Sequence, residues 1–271
     1  MSTPPPTPEP TDLATTRLAY RSTGEGRALV LAHGFTQTGR VWGSMDHDLA
    51  GDHTVITVDM PGHGRSGAVR SSLPEGAGQL GATGGRAAYL GYSMGARFCL
   101  HLALVRPDLV DALVLVSGTA GIEDDDERAQ RRRADEALAE QLDPSDPTRS
   151  PAVPVATFVR RWMENPLFDG IDPDAGGLDE RLSNTGPGLA SSLRLAGTGT
   201  QRPLWAELGT LDMPVLVVTG RHDAKFTSLG RRLTAAIGPN ARHVVVDGTG
   251  HAPHLQRPGE VAAAVRAHLA D

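Results

Sequence analysis

One cysteine, Cys99, is present in the 271 residues, and a single cysteine excludes an intramolecular disulfide bond. Long apolar runs are missing as well, since no window approaches the ~18 uninterrupted apolar residues that a membrane-spanning helix needs. The first residues, MSTPPPTPEPTD (1–12), have neither a basic start nor an apolar centre, so they predict a disordered proline-rich tail rather than a signal peptide. These absences lead us to expect a cytoplasmic protein without membrane contact.

Basic residues are fewer than acidic ones, 26 Lys and Arg against 32 Asp and Glu, so the formal net charge is −6. Nucleic-acid binding needs a basic face, so this balance argues against nucleic acid as a partner, and the RRR at 131–133 is too local to change that. Clusters of metal ligands and cofactor motifs are missing too. PGHGRSG (61–67) lacks the lysine and the helix context of a P-loop. We therefore expect no cofactor and no metal.

Apolar runs rich in β-formers recur along the chain and predict strands of a parallel sheet that is buried on both faces. They lie at 28–33, 54–59, 87–92, 112–117, 214–220 and 241–247. Helix-like stretches alternate with them at 40–50, 93–106, 226–236 and 258–270. The glycine-rich stretch 71–85 predicts only a short helix. This alternation predicts an α/β fold with a mostly parallel central sheet flanked by helices.

Residues 121–205, which we call the inserted segment, interrupt the alternation of strands and helices. They contain no convincing strand, but they contain amphipathic pieces such as DDERAQRRRADEALAEQL and prolines at 147, 151 and 154. A structureless loop of that length is improbable in a compact domain, so the segment predicts a helical cap. The expected organisation is a tail at 1–12, a core formed by 13–120 and 206–271, and a cap at 121–205.

A serine between two glycines follows the third predicted strand, in GYSMGAR (91–97). A G-x-S-x-G between a strand and a helix is typical of a nucleophile elbow, in which Ser93 stands exposed above the sheet. In such folds the partners follow in the order Ser, Asp, His, each after a core strand. Asp223 in RHDAKF and His251 in DGTGH occupy these places, so we predict a catalytic triad of Ser93, Asp223 and His251.

Other residues compete for two of these roles. The chain has ten histidines, and a lone histidine is more often structural or solvated than catalytic. Asp212 is a rival for the acid, but it precedes its strand and would lie at the wrong edge of the sheet. The HGF that ends the first strand can place the backbone N–H of Phe35 beside that of Met94, which predicts an oxyanion hole.

Motifs spread along the chain form a recognisable set: HGF, DMPGHGRS, GYSMGAR, GRHDAKF and GHAPHLQRP. Together they resemble the α/β-hydrolase fold superfamily over residues 17–271. A second set consists of GYS with Arg97, ERAQRRRADEAL, RRWMENPLF, ERLSNTGPGLASSLR and DAKF. This set resembles the 2-succinyl-6-hydroxy-2,4-cyclohexadiene-1-carboxylate synthases of menaquinone biosynthesis. The second resemblance implies a lyase that eliminates pyruvate from a substrate with several carboxylates.

The resemblance also implies which residues bind substrate. Arginine matches a carboxylate with two hydrogen bonds, so the implied carboxylate ligands are Arg97, Arg131 and Arg181. The implied pocket lining is Tyr92, Trp162 and Lys225, the last being the only lysine of the chain.

Less specific interpretations remain for several of these side chains. Arg97 can equally form an ion pair with the cap. Arg131 can pair with Glu127 or Asp135 one helical turn away, as surface residues often do. Trp162 can simply be part of the cap core, where most large aromatic side chains pack.

Three functions fit these residues. In a lyase, His251 deprotonates Ser93, and Ser93 Oγ removes a ring proton while pyruvate leaves. In a serine hydrolase of carboxylic esters or carbon–carbon bonds, Ser93 attacks a carbonyl group. A third possibility is a ligand-binding protein that keeps the fold without turnover. In each case the expected partner is a small molecule, and the arginines favour a polyanionic carboxylate.

Overall fold

The computed structural model describes residues 17–172 and 174–270, so the tail predicted at 1–12 lies outside the described residues. The strands are β1 (Tyr20–Thr23), β2 (Arg27–Ala32), β3 (His53–Val58), β4 (Ala87–Tyr92), β5 (Val110–Val116), β6 (Val215–Gly220) and β7 (Ala241–Val246). They form one sheet in the order β1-β3-β2-β4-β5-β6-β7. Only the pairing of β1 with β3 is antiparallel, and the other pairs are parallel. The prediction of a mostly parallel sheet is confirmed.

The sheet is buried on both faces, which explains why its strands appear in the sequence as continuous apolar runs. All six residues of β4 are buried, as are all six of β6. In contrast, all four residues of β1 at the sheet edge are exposed. Because the six parallel strands point the same way, the loops that follow them meet at one edge of the sheet. The loop after β2 leads to β3 on one side, whereas the loop after β4 leads to β5 on the other side, and such switch points are where α/β sheets bind ligands.

The helices are α1 (Met45–Leu49), α2 (Leu73–Gly84), α3 (Met94–Val105), α4 (Asp125–Leu142), α5 (Val155–Met163), α6 (Leu178–Leu182), α7 (Gly186–Ala196), α8 (Ala224–Ile237), α9 (Pro253–Gln256) and α10 (Pro258–Leu269). Among the described residues, no helix combines the length and the apolar character that crossing a membrane requires.

The helix before β4 is longer than its sequence predicts. α2 spans 12 residues, although its glycines indicated a short helix. The Glu75 side chain accepts a hydrogen bond from the Ser72 backbone N–H at 2.8 Å and so caps the first turn. A Cβ on Gly76 would lie 2.4 Å from the Phe98 ring of α3. The glycine therefore allows close packing of two helices, and it does not end α2.

The described residues between β5 and β6 form helices and loops without a strand. α4 begins after Asp124, whose side chain accepts a hydrogen bond from the Glu127 N–H at 2.8 Å. α4 packs against α7, and α5 packs against α6. Their apolar side chains form a cluster of their own, apart from the two clusters that cover the sheet.

Candidate active site

Ser93 occupies a strained turn between β4 and α3, with φ 50° and ψ −103°. The start of α3 lies so close to β4 and to the end of β2 that side chains are excluded on both sides of this turn. A Cβ on Gly95 would lie 1.9 Å from the Ala32 carbonyl oxygen, and a Cβ on Gly91 would lie 2.4 Å from the backbone of Gly95. The two glycines of GYSMG are therefore steric requirements of the elbow.

The predicted triad residues lie within hydrogen-bonding distance of one another. The distance from His251 Nε2 to Ser93 Oγ is 3.1 Å, and that from His251 Nδ1 to Asp223 Oδ2 is 2.7 Å. The other carboxylate oxygen of Asp223 accepts the Phe226 N–H at 3.0 Å. Asp212 precedes β6, whereas Asp223 follows it. This geometry can transfer the Ser93 proton to His251 while Asp223 holds the Nδ1–H tautomer.

Aromatic rings surround the His251 imidazole. The ring centroids of Tyr92, Phe168 and Phe226 lie 5.6, 6.3 and 4.4 Å from it. Phe168 and Phe226 were not among the predicted site residues, although both stand inside the quoted motifs RRWMENPLF and DAKF. Their rings restrict the imidazole to few orientations.

The two predicted oxyanion donors are available for a ligand. The N–H groups of Phe35 and Met94 make no hydrogen bond with any residue in the described part of the chain. Met94 is the first residue of α3, where a helix leaves its N–H groups without intrahelical partners. Phe35 lies in the loop after β2, which we call the oxyanion loop (residues 33–37).

Two neutral histidines fix the oxyanion loop. His33 Nε2 accepts the Met60 N–H at 3.0 Å, and His63 Nε2 accepts the Thr36 N–H at 3.3 Å. Each Nδ1 donates to a backbone carbonyl, of Gly34 and Pro61 respectively. Burial lowers the pKa of His33 to about 4 and that of His63 to about 3. Both rings are therefore uncharged near neutral pH, which allows Nε2 to accept.

A cavity of about 550 Å³ opens above Ser93 and His251. Residues from the core and from the inserted segment line it together. All the predicted substrate-binding residues are part of its wall: Tyr92, Arg97, Arg131, Trp162, Arg181 and Lys225. The structure thus brings them to one cavity, and their role in binding stays a prediction.

Arg97 and Arg181 are buried cations with uncharged hydrogen-bond partners. Arg97 Nη1 donates to the Ala196 carbonyl at 2.7 Å. Arg181 donates from Nε to the Gly176 carbonyl at 2.7 Å and from Nη1 to Thr36 Oγ1 at 2.5 Å. Neither arginine forms an ion pair with a carboxylate within residues 17–172 and 174–270. Desolvation lowers the pKa of each guanidinium to about 10; for Arg97 repulsion by Arg131 adds to the effect, and attraction to the Asp135 carboxylate partly opposes it.

Arg131 has the ion pair that its sequence spacing allowed. Its Nε lies 2.8 Å from Asp135 Oδ1, and the Asp135 carboxylate is buried. The other oxygen of Asp135 accepts the Gly199 N–H at 3.2 Å. The Arg131 Nη groups have no hydrogen-bond partner among the described residues, so a ligand in the cavity can still reach them.

The remaining predicted lining residues differ in their surroundings. The Trp162 ring packs between Phe35 and Phe168, with centroid distances of 5.1 and 6.0 Å, so it also belongs to the apolar cluster of the inserted segment. Tyr92 is buried, and burial raises the pKa of its phenol. Lys225 is exposed in the first turn of α8 and makes no ion pair with any residue that the structure describes.

Arg232 and Glu123 also line the cavity, and the sequence did not indicate either. They form an ion pair at 2.5 Å between α8 and the start of the inserted segment. The Arg232 guanidinium also lies 3.8 Å from the centroid of the Trp205 ring. The two residues are distant in sequence, so no local spacing could have shown the pair.

Comparisons with known proteins agree with this architecture. Residues 27–258 match the alpha/beta hydrolase fold family. A proposed 2-succinyl-6-hydroxy-2,4-cyclohexadiene-1-carboxylate synthase of Bacillus subtilis (strain 168) is 32% identical over 247 residues, which cover 85% of this chain and 86% of the relative. The pimeloyl-[acyl-carrier protein] methyl ester esterase of Xanthomonas campestris pv. campestris (strain B100) is 29% identical over 260 residues, which cover 91% and 96%. The solved structure of MenH from S. aureus superimposes with a TM-score of 0.81 at 26% identity and covers 94% of this chain and 98% of that chain.

Proposed function

We propose, from the premise that the chain belongs to the α/β-hydrolase fold family, that it is a lyase which eliminates pyruvate from a polycarboxylate in menaquinone biosynthesis. Its relatives are enzymes, and a 2-succinyl-6-hydroxy-2,4-cyclohexadiene-1-carboxylate synthase is among those it resembles over most of its length. In this proposal Ser93, His251 and Asp223 carry out the chemistry, and the arginines of the cavity bind the substrate carboxylates.

One observation carries the choice of substrate class: two buried guanidinium groups face the cavity of the triad without a carboxylate partner among the described residues. Burying a cation without a counter-charge is costly, and burial lowers the pKa of Arg97 and Arg181 to about 10. A ligand that brings carboxylates into the cavity supplies the missing negative charge. An esterase for neutral substrates would gain nothing from this arrangement.

The proposed reaction is an elimination. His251 accepts the proton of Ser93 Oγ, and the oxygen then removes a proton from the substrate ring. The electron pair of the broken C–H bond becomes part of a new ring double bond, and the C–O bond to the pyruvyl group breaks. Proton return through His251 and tautomerisation release pyruvate. The N–H groups of Phe35 and Met94 form the oxyanion hole, which stabilises negative charge that develops on a substrate oxygen.

The inserted segment has the role of a cap in this proposal. Its residues Arg131, Trp162 and Arg181 line the same cavity as Ser93, from α4, α5 and α6. A cap of this kind excludes water, which strengthens the attraction between the arginines and carboxylates. We propose that this cap spans residues 121–205.

A second candidate is a serine esterase. The esterase relative of Xanthomonas campestris and the triad geometry favour it, since the same Ser93 Oγ could attack an ester carbonyl. The arginines of the cavity distinguish the candidates, because a neutral ester offers a guanidinium no negative charge to pair with.

Pyruvate release tests the proposal directly. Purified protein is incubated with the enolpyruvyl polycarboxylate that precedes 2-succinyl-6-hydroxy-2,4-cyclohexadiene-1-carboxylate, and pyruvate is measured through lactate dehydrogenase and NADH. We expect turnover that Ser93→Ala abolishes. Ester hydrolysis without pyruvate release would leave the esterase as the better function.

A further inference from the structure

Thr36 has a strained backbone beside the predicted oxyanion hole. Its φ is 66°, in the left-handed region that β-branched residues rarely adopt. Thr36 follows Phe35, and strained residues persist only where neighbouring groups hold them in place. Neighbouring groups must therefore keep Thr36 in this conformation.

The strain belongs to a tight turn. The Gln37 N–H donates to the Gly34 carbonyl at 3.2 Å, which closes a turn with Thr36 at its third position, where a type II turn requires a positive φ. The Gly34 carbonyl and the Phe35 N–H belong to the same planar peptide group. A turn that fixes this carbonyl therefore also fixes the direction of the Phe35 N–H.

Side chains from elsewhere satisfy all three polar groups of Thr36. Its N–H donates to His63 Nε2 at 3.3 Å. Its Oγ1 accepts from Arg181 Nη1 at 2.5 Å, and its carbonyl accepts from Asn184 Nδ2 at 2.7 Å. Arg181 and Asn184 both belong to the inserted segment, so that segment contacts the oxyanion loop directly.

Asn184 uses every polar group of its amide. Nδ2 donates to the carbonyls of Thr36 and Arg181, the latter at 3.0 Å, and Oδ1 accepts the Gly64 N–H at 2.8 Å. Its side chain is buried and is not part of the cavity wall. Asn184 therefore does not meet the substrate, and it acts on the site only through its partners Thr36, Arg181 and Gly64.

We propose that Asn184 is a positioning residue for the oxyanion hole, because it holds Thr36 in the left-handed conformation and thereby orients the Phe35 N–H. The proposal rests on the oxyanion hole of the proposed function. Only an amide of this size can donate to two carbonyls and accept from an N–H at once. Aspartate has the same shape, but its carboxylate cannot donate and would face the two carbonyl oxygens.

The test measures how fast a fluorophosphonate probe labels Ser93 in the full-length protein. Ser93 Oγ forms a bond to phosphorus, fluoride leaves, the proton goes to His251, and the phosphonyl oxygen enters the oxyanion hole. We expect Asn184→Asp and Asn184→Ala to lower the second-order rate constant by about 10- to 100-fold, since a displaced or lost oxyanion donor costs rates of this order. Ser183→Ala is the matched control, because Ser183 Oγ donates only to the Glu180 carbonyl in the same turn.

A second variant separates positioning from folding. Glycine adopts a φ of 66° without strain, so Thr36→Gly should restore at least part of the labelling rate in the Asn184→Ala background. Wild-type rates in both Asn184 variants, the same loss in Ser183→Ala, or no rescue by Thr36→Gly would each overturn the proposal. The labelling assay does not measure pyruvate release, so this proposal stands even if the lyase assignment fails. If the wild type is not labelled, both the nucleophilic role of Ser93 and this proposal are refuted.

Discussion

Replacing Arg97 by methionine should separate stability from activity. The pKa of Arg97 is lowered from 12.5 to about 10, mainly by desolvation. At about 1.4 kcal/mol per pKa unit, burying this charge costs the ligand-free protein about 3.5 kcal/mol. Methionine fills a similar length without a charge, so it removes that cost.

The hydrogen bond from Arg97 to the Ala196 carbonyl opposes this gain. A bond from a charged donor contributes about 1.5–3 kcal/mol. The difference predicts that Arg97→Met leaves the free energy of unfolding unchanged or raises it by up to about 2 kcal/mol. Urea unfolding measures this directly.

The activity should change in the opposite direction. If Arg97 binds a substrate carboxylate, its removal costs about 2–5 kcal/mol of transition-state binding, which corresponds to a loss of about 30- to 5000-fold in kcat/KM for pyruvate release. Hydrolysis of neutral p-nitrophenyl acetate should change little. A polycarboxylate inhibitor should also raise the Tm of the wild type more than that of the variant.

Arg131→Met is the matched control, because Arg131 has the carboxylate partner that Arg97 lacks. Its loss leaves the buried Asp135 without its cation and should lower the free energy of unfolding by about 1–2 kcal/mol, a value discounted because the Arg131 side chain is 41% exposed. The reasoning is refuted if Arg97→Met destabilises the protein by more than about 2 kcal/mol and lowers both activities equally, since Arg97 would then be structural.

Three further outcomes are expected. Ser93→Ala and His251→Ala should each lower kcat by about a thousandfold or more at unchanged Tm, and near-normal turnover would contradict both enzyme assignments. Asp135→Asn should raise KM for the polycarboxylate with little change in kcat, because Arg131 loses the group that orients it; an unchanged KM argues against this role. Burial lowers the pKa of His63 and His254 to about 3, so the unfolded chain binds more protons below pH 6.5. The stability that the neutral histidines contribute is therefore fully present above about pH 6.5, and the free energy of unfolding should fall by about 2 kcal/mol per histidine at pH 5. Equal free energies of unfolding from urea at pH 7 and pH 5 would contradict this.

The sheet could be predicted from sequence wherever a strand is buried on both faces. The run at 87–92 coincides with β4, because every one of its residues is in the core. β1 was missed, since its four exposed residues, YRST, show no apolar pattern and pair with β3 through contacts distant in sequence. The prediction of a short helix at α2 was wrong for a related reason. Its glycines signal a helix end by local preference, whereas here they allow contact with Phe98.

The site divides in the same way between local and distant information. The G-x-S-x-G motif indicated Ser93, and chain order indicated Asp223 and His251, because each follows a strand that the sequence reveals. The ion pair of Arg131 and Asp135 could also be predicted, since the two residues are one helical turn apart. The partner of Arg181 could not be predicted. Thr36 lies 145 residues away, and a threonine with positive φ has no sequence signature. Tertiary contacts determine such partners.

The stretch from 176 to 184 connects the parts of the site that local patterns could not connect. Arg181 brings a buried positive charge to the cavity, and its Nη1 contacts the same Thr36 that Asn184 holds from the carbonyl side. Because both side chains come from α6 and the turn after it, displacing this stretch would remove Arg181 from the cavity wall and release the oxyanion loop in one step. If the proposed polycarboxylate binds in the cavity, its charge pairs with Arg181 and favours the docked position of α6. Substrate binding would then stabilise the conformation in which the Phe35 N–H is aimed, so a neutral ester, which offers Arg181 nothing, should meet a less ordered oxyanion hole than the polycarboxylate does.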